Sequence, residues 1–187
     1  MNVTAEQNEL HILKLVKGRD PSAMRMLYDG YIGYMAAVCV RYVPDDDDRK
    51  DILQEAFIKI MTSIGSFEYR HEGSLKAWVM RITANEALKF IRKSSAHKVV
   101  EYDDKLPDVA DEPDVEGIPD DAINDMLMRL PTGYRTVFNL YVFENKSHKE
   151  IAEALGIGES SSASQYLRAK AALARMIKEY RRTNLNN

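Results

Sequence analysis

Along the first ninety residues, apolar side chains recur at helical spacing and nowhere alternate as a strand would. Met24, Leu27, Tyr28, Tyr31, Met35 and Val38 share one helical face. Asp20-Pro21 supplies a cap and first position for that helix, and Pro44 follows its end. Ile52, Leu53, Ala56, Phe57, Ile60, Met61 and Ile64 form a wide second stripe closed by Gly65. Ser74 can cap a third long helix carrying Leu75, Trp78, Val79, Ile82, Leu88 and Ile91. A shorter segment around Leu10, Leu13 and Val16 precedes them. Residues 1–93 are therefore predicted to form a compact helical bundle.

The pattern resumes beyond residue 121. Ile123, Met126, Leu127 and Leu130 mark a short helix stopped by Pro131, and Val137, Phe138, Tyr141 and Val142 mark the next. Ser147-His148-Lys149-Glu150 has the spacing of a capping box. Ile151 and Leu155 are core positions, Ala152 permits a close helix crossing, and Gly156 can take the left-handed cap, with Ile157 plugging the turn. A second helix, expected from about Ser161, places Ser162, Tyr166, Ala169, Leu173, Met176, Ile177 and Tyr180 on one face. Ser161, Ser164, Gln165 and Arg168 fall on another. Two helices across a tight turn read as a helix-turn-helix, and Ser, Gln and Arg are side chains that hydrogen-bond base edges and phosphates. The alternative is a plain solvated face.

Charge changes the picture of what joins the halves. Residues 1–93 hold 14 Lys/Arg against 13 Asp/Glu, net +1, and residues 122–187 hold 10 against 6, net +4. Residues 94–121 hold 2 against 10, net -8, with three of the six prolines and no sustained helical period. That stretch reads as a flexible acidic linker, either a solvated tether or a mimic of nucleic-acid charge in a basic channel. The expected fold class is all-α: two small helical domains, 1–93 and 122–187, joined by 94–121.

Composition narrows the chemistry. The longest uncharged run, Gly30 to Val40, is eleven residues, short of the roughly 18 a membrane span needs. The N-terminal residues mix charges and lack a secretory pattern, and Cys39 is the sole cysteine, so a cytoplasmic location is expected. Asp45 to Asp48, with Asp51 and Glu55, could suggest a divalent-metal site. Four acids after a proline also suit a helix N-terminus, and no calcium-loop pattern follows. The histidines His11, His71, His97 and His148 show no ligand spacing, and no phosphate-cradling loop or nucleophile elbow is present. The expectation is no catalytic residue, no metal and no cofactor. In the loop SFEYRHEG, residues 66–73, Phe67, Tyr69 and Arg70 could stack on unpaired bases and hold phosphate; alternatively Phe67 plugs the bundle.

Three pieces in this order resemble the extracytoplasmic-function class of bacterial sigma factors, the promoter-specificity subunits of RNA polymerase. They are DILQEAFIKI, KAWVMRITANEALKFIRK and LPTGYRTVFNLYVFENKSHKEIAEALGIGESSSASQYLRAKAAL. The resemblance spans nearly all of residues 8–182. It implies that Asp51, Gln54, Glu55 and Ile58 bind the polymerase clamp, and that Phe67, Tyr69 and Arg70 border melting DNA. It implies that Arg81, Asn85, Lys89 and Arg92 meet the proximal promoter element, although Asn85 could instead tie down a neighbouring helix. Lys149, Ser161, Ser164, Gln165 and Arg168 would meet the distal element. Trp78 is assigned to the core. Where the family often has Lys or Arg, this chain has Ala163, and Ser160-Ser161 replace a frequent Gly-Thr. Core RNA polymerase, promoter DNA and an anti-sigma factor are the implied partners. Two other functions compete: a free-standing helix-turn-helix regulator, and a metal-dependent helical enzyme using the acids between Asp45 and Glu55.

Overall fold

A computed structural model describes residues 5–95 and 115–184. All regular structure among them is helical, in two compact units, residues 1–91 and 92–187. In chain order the helices are α1 (Ala5–Lys17), α2 (Ser22–Tyr42), α3 (Asp46–Ser63), α4 (Ser74–Ser95), α5 (Asp120–Met128), α6 (Thr132–Val142), α7 (His148–Leu155) and α8 (Glu159–Asn184). A single 3₁₀ turn, Ile64–Ser66, follows α3.

The first unit closes around Ile12, Leu27, Tyr31, Met35, Ala56, Ile60, Leu75 and Val79. Each fully buried aliphatic chain contributes about 1.5–3 kcal/mol of transfer free energy. The α3 stripe is as expected: Ile52, Ala56, Ile60 and Ile64 are buried, with Leu53, Phe57 and Met61 packed at its edges. Trp78 lies partly buried against the same core. The α2 face is narrower than its sequence pattern. Leu27, Tyr31, Met35 and Val38 point inward, whereas Met24 and Tyr28 are exposed at the flank, Tyr28 edge-on to Phe57 at 5.3 Å. Leu10 is likewise exposed, and Ile12 takes the core position on α1.

Helix starts follow local chemistry with two shifts. Asp45 caps α3 by accepting from the backbone N–H of Asp47 and Asp48, both at 3.0 Å, so the acid run serves a helix N-terminus. Asp20 accepts from the backbone N–H and hydroxyl of Ser22, and α2 begins at Ser22, one residue beyond Pro21. Ser74 is the first residue of α4 rather than its cap; the group that accepts from this helix start comes from α1, as described below.

In the second unit Ile118, Met126, Leu127, Leu130, Ala169, Leu173 and Ile177 form one core. Two boundaries of the expected linker move. Helix α4 runs on to Ser95, and α5 starts at Asp120 with Ile118 already buried. Residues 115–121 thus belong to the second folded unit, because Ile118 supplies apolar surface to its core. The expected tether and its charge-mimic role otherwise fall on residues 96–114, outside the described residues.

Candidate polymerase and promoter surfaces

Helix α3 has two unlike sides. Ile52, Ala56 and Ile60 face the core, and Asp51, Gln54, Glu55 and Ile58 are all exposed. Their spacing of three, four and seven puts the four on one outward stripe. Ile58 is 50% exposed, an apolar group placed among two acids and an amide. Such a surface can accept from basic groups while giving an apolar anchor.

The loop after α3 is anchored at both ends. Phe67 is half-buried and packs on Trp78 with ring centroids 5.2 Å apart at the edge of the core. Tyr69 is partly buried, and its hydroxyl donates to Glu6 of α1 at 3.4 Å. Loss of solvent and the nearby Glu6 and Glu9 carboxylates push the Tyr69 phenol above its ordinary value. Arg70 is exposed. On α4, Arg81, Asn85, Lys89 and Arg92 are all exposed and follow one another at intervals of four, four and three along one ridge. Their neighbours Ile82, Thr83, Ala84, Glu86, Ala87 and Leu88 are buried. The ridge carries three cations and one amide, a pattern that suits phosphates and base edges.

Glu86 was not legible as part of this site. It is buried, accepting from Lys59 of α3 at 2.9 Å and from Lys89 at 3.3 Å. Burial alone would raise its carboxyl, but hydrogen bonds from Lys59 and Lys89 more than offset that and hold it below its ordinary value. It engages the Lys89 ammonium and, through Lys59, ties α3 to α4.

The helix-turn-helix forms as its spacing predicts. The Ser147 backbone N–H donates to Glu150 Oε2 at 2.8 Å, and the Glu150 N–H donates to Ser147 Oγ at 3.3 Å, completing the capping box. Gly156 ends α7 in the left-handed region with φ 68°. Helix α8 begins at Glu159, one half-turn earlier than Ser161. At its start Ser161 is exposed, and Ser164 is half-buried with its hydroxyl donating to the Ser160 carbonyl at 2.8 Å. Lys149 is exposed on α7. Gln165 departs from its expected place. It is only 7% exposed and lies with Ser162, Ala169 and Leu173 on the packed side, because three residues from Ser162 and four from Ala169 is the same helical face. Arg168 is half-buried, with Nε out of solvent and without a hydrogen-bond partner.

Two supports of this unit also escaped sequence reading. Arg135 is buried and donates to the carbonyls of Met128 and Leu130, both at 3.0 Å, holding the end of α5. His148 stacks on Tyr141 at 4.7 Å, and its Nδ1 lies 3.0 Å from the buried Ser162 hydroxyl, which joins the starts of α7 and α8. A lone His after a capping Ser carries no local signal of either contact.

A helical bundle followed by a helix-turn-helix unit is the organisation of sigma-70-type initiation factors, and both halves match that class. Residues 27–97 match Sigma-70 region 2 and residues 120–173 match Sigma-70 region 4. ECF RNA polymerase sigma factor SigM of Mycobacterium tuberculosis is 31% identical over 140 residues, 75% of this chain and 69% of the relative. ECF RNA polymerase sigma factor SigW of Bacillus subtilis is 27% identical, covering 89% of this chain and 95% of the relative. The solved sigma factor RpoE from Bartonella quintana, in complex with the anti-sigma factor NepR, is similar in fold. Its TM-score is 0.50 at 21% identity, covering 84% of this chain and 98% of that one. The chain belongs to the extracytoplasmic-function family of RNA polymerase sigma factors and acts in transcription initiation. Among the described residues no helix is long and apolar enough to cross a membrane.

Proposed function

We propose that this sigma factor docks on core RNA polymerase through Asp51, Gln54, Glu55 and Ile58. The α4 ridge of Arg81, Asn85, Lys89 and Arg92 meets the proximal promoter element. The loop bearing Phe67, Tyr69 and Arg70 assists melting, and Lys149, Ser161, Ser164 and Arg168 meet the distal element. Gln165 supports the reading helix from its packed side instead of touching bases. The observation that carries this reading is the division of α3 and α4: every polymerase and proximal-element residue is exposed, while Ile52 and Ala56 on α3 and Ile82, Ala84, Ala87, Leu88 and Ile91 on α4 are buried between them.

The chain catalyses no reaction of its own in this reading, binds no cofactor and works in the cytoplasm. An anti-sigma factor is a further partner, a reading supported by the fold-level likeness to a sigma factor solved with one. The deciding experiment is run-off transcription with purified core polymerase, which a free-standing regulator would not support. Gln54→Ala with Glu55→Ala is expected to weaken capture of core polymerase while the far-ultraviolet helical signal stays unchanged. Undiminished capture would remove α3 as the docking face.

A further inference from the structure

Helix α1 lies outside the residues that match Sigma-70 region 2, which begin at 27. Two of its carboxylates nevertheless hold the loop between α3 and α4. Glu9 is 4% exposed. Its Oε2 accepts from the Gly73 backbone N–H at 3.0 Å, and its Oε1 accepts from the Lys76 N–H at 3.1 Å. These are orphan donors at the start of α4, and a carboxylate is the strongest acceptor a side chain offers them. The Tyr31 hydroxyl of α2 stands 3.5 Å from the same Oε1. One turn earlier on α1, Glu6 accepts from the Tyr69 hydroxyl. Leu10, Leu13 and Lys14 of α1 also wall an open cleft with Phe67 and Tyr69. Gly73 itself sits at φ 81°, a left-handed conformation that glycine adopts at little cost. The loop is therefore pinned at Tyr69, Gly73 and Lys76 from a helix more than sixty residues away in sequence.

We propose that Glu9 is a positioning residue for promoter opening: by capping α4 from α1 it sets the conformation of the 67–73 loop that meets melting DNA. This rests on the reading of Phe67, Tyr69 and Arg70 as the melting loop. A burial role alone would not need a charged group, since an apolar side chain would fill the same space without a desolvation cost. The bonds from the Gly73 and Lys76 N–H groups, at 3.0 and 3.1 Å, account for a two-oxygen acceptor at this buried position.

The test uses holoenzyme reconstituted with core polymerase. Transcripts that holoenzyme makes from the source organism's genomic DNA identify a promoter. That promoter is then supplied as full duplex and as the same template with an unpaired bubble upstream of the start. Glu9→Gln leaves one of the two N–H groups facing an amide donor, and Glu9→Ala removes both acceptors. Both variants are expected to transcribe the duplex roughly five-fold less, the population shift that a typical cap loss of about 1 kcal/mol produces when all of it bears on the conformation of this loop. On the bubble template they are expected to match the unaltered protein, with core polymerase affinity unchanged. Undiminished duplex transcription, or an equal loss on both templates, would overturn the proposal. Arg70→Ala and Tyr69→Ala run beside them. If these show the duplex-specific loss and the Glu9 variants do not, the loop reading stands and Glu9 has no part in it. If neither set shows it, the loop reading fails and the proposal falls with it.

Discussion

Cys39 is fully buried on α2, and burial pushes its thiol up to about 12, with Arg49 and Arg41 pulling weakly the other way. A neutral, enclosed thiol is a poor nucleophile. Native protein at pH 8 is expected to resist iodoacetamide and to be labelled only after unfolding, as mass spectrometry would read. The sign of its pH dependence follows. The folded thiol keeps its proton to about 12, while the unfolded one releases it near 9.0. Its contribution to stability is complete below 9.0 and is lost as pH rises through that interval. Cys39→Ala should therefore lose stability less steeply than the unaltered chain between those limits in urea melts. Arg168 tests a different surface. It is half-buried one turn beyond Ser164, and Ala163 leaves no second cation beside it. One Arg contact to a guanine edge is worth roughly 1–3 kcal/mol of discrimination. Arg168→Ala should reduce holoenzyme transcription only on templates that depend on the distal element. Equal loss on templates lacking it would return Arg168 to a folding role, to which its enclosed Nε already points.

At the scale of one element, α7 is eight residues long and too short to persist without its ends. Ser147 and Glu150 hold one end and Gly156 the other. Ser147→Ala should cost about 1 kcal/mol of the stability of the full chain, read as a lower urea midpoint at constant slope. The Ser147 hydroxyl and then its backbone N–H hold the Glu150 carboxyl below its ordinary value. A depressed carboxyl stabilises above its unfolded value of 4.5 and ceases to do so as pH falls through the lower folded value. The variant should accordingly show a shallower acid dependence than the parent. A parallel acid limb in both would mean that the box does not couple to Glu150.

Across the whole molecule, residues 1–95 carry 14 Lys/Arg against 13 Asp/Glu and residues 115–187 carry 10 against 9, so +1 on each folded half offers few phosphate contacts, and non-specific DNA affinity depends on their number. Placing two weak readers on one polymerase scaffold compensates by effective concentration. The Pro-bearing, strongly acidic composition between the halves predicts the first cuts by a broad protease between Ser95 and Val115. The limits are set by α4 ending at Ser95 and by Ile118 lying in the second core. Two resistant fragments are expected by mass spectrometry. Early cuts inside α2 or α8 would contradict two independently packed halves.

What the sequence determined by itself was everything carried by local spacing. The core stripe of α3, the Leu27, Tyr31, Met35 and Val38 part of the α2 stripe, the acid-rich start of α3, the Ser147–Glu150 box and the left-handed Gly156 each depend on residues within a turn or two. So do the outward stripe of α3 and the ridge of α4, since a helix that buries one side must expose the other. The tertiary structure decided the rest. Gln165 shares the Ser162 and Ala169 face by spacing alone, so its polar side chain and not its position is what read as groove-facing, and packing put it at 7% exposure. Glu86 meets Lys59 across 27 residues, and Glu9 meets Gly73 and Lys76 across 64 and 67. A carboxylate in a helical pattern reads as a solvated position. Only packing of α1 beside the start of α4 removes water from Glu9 and leaves those backbone N–H groups as its partners.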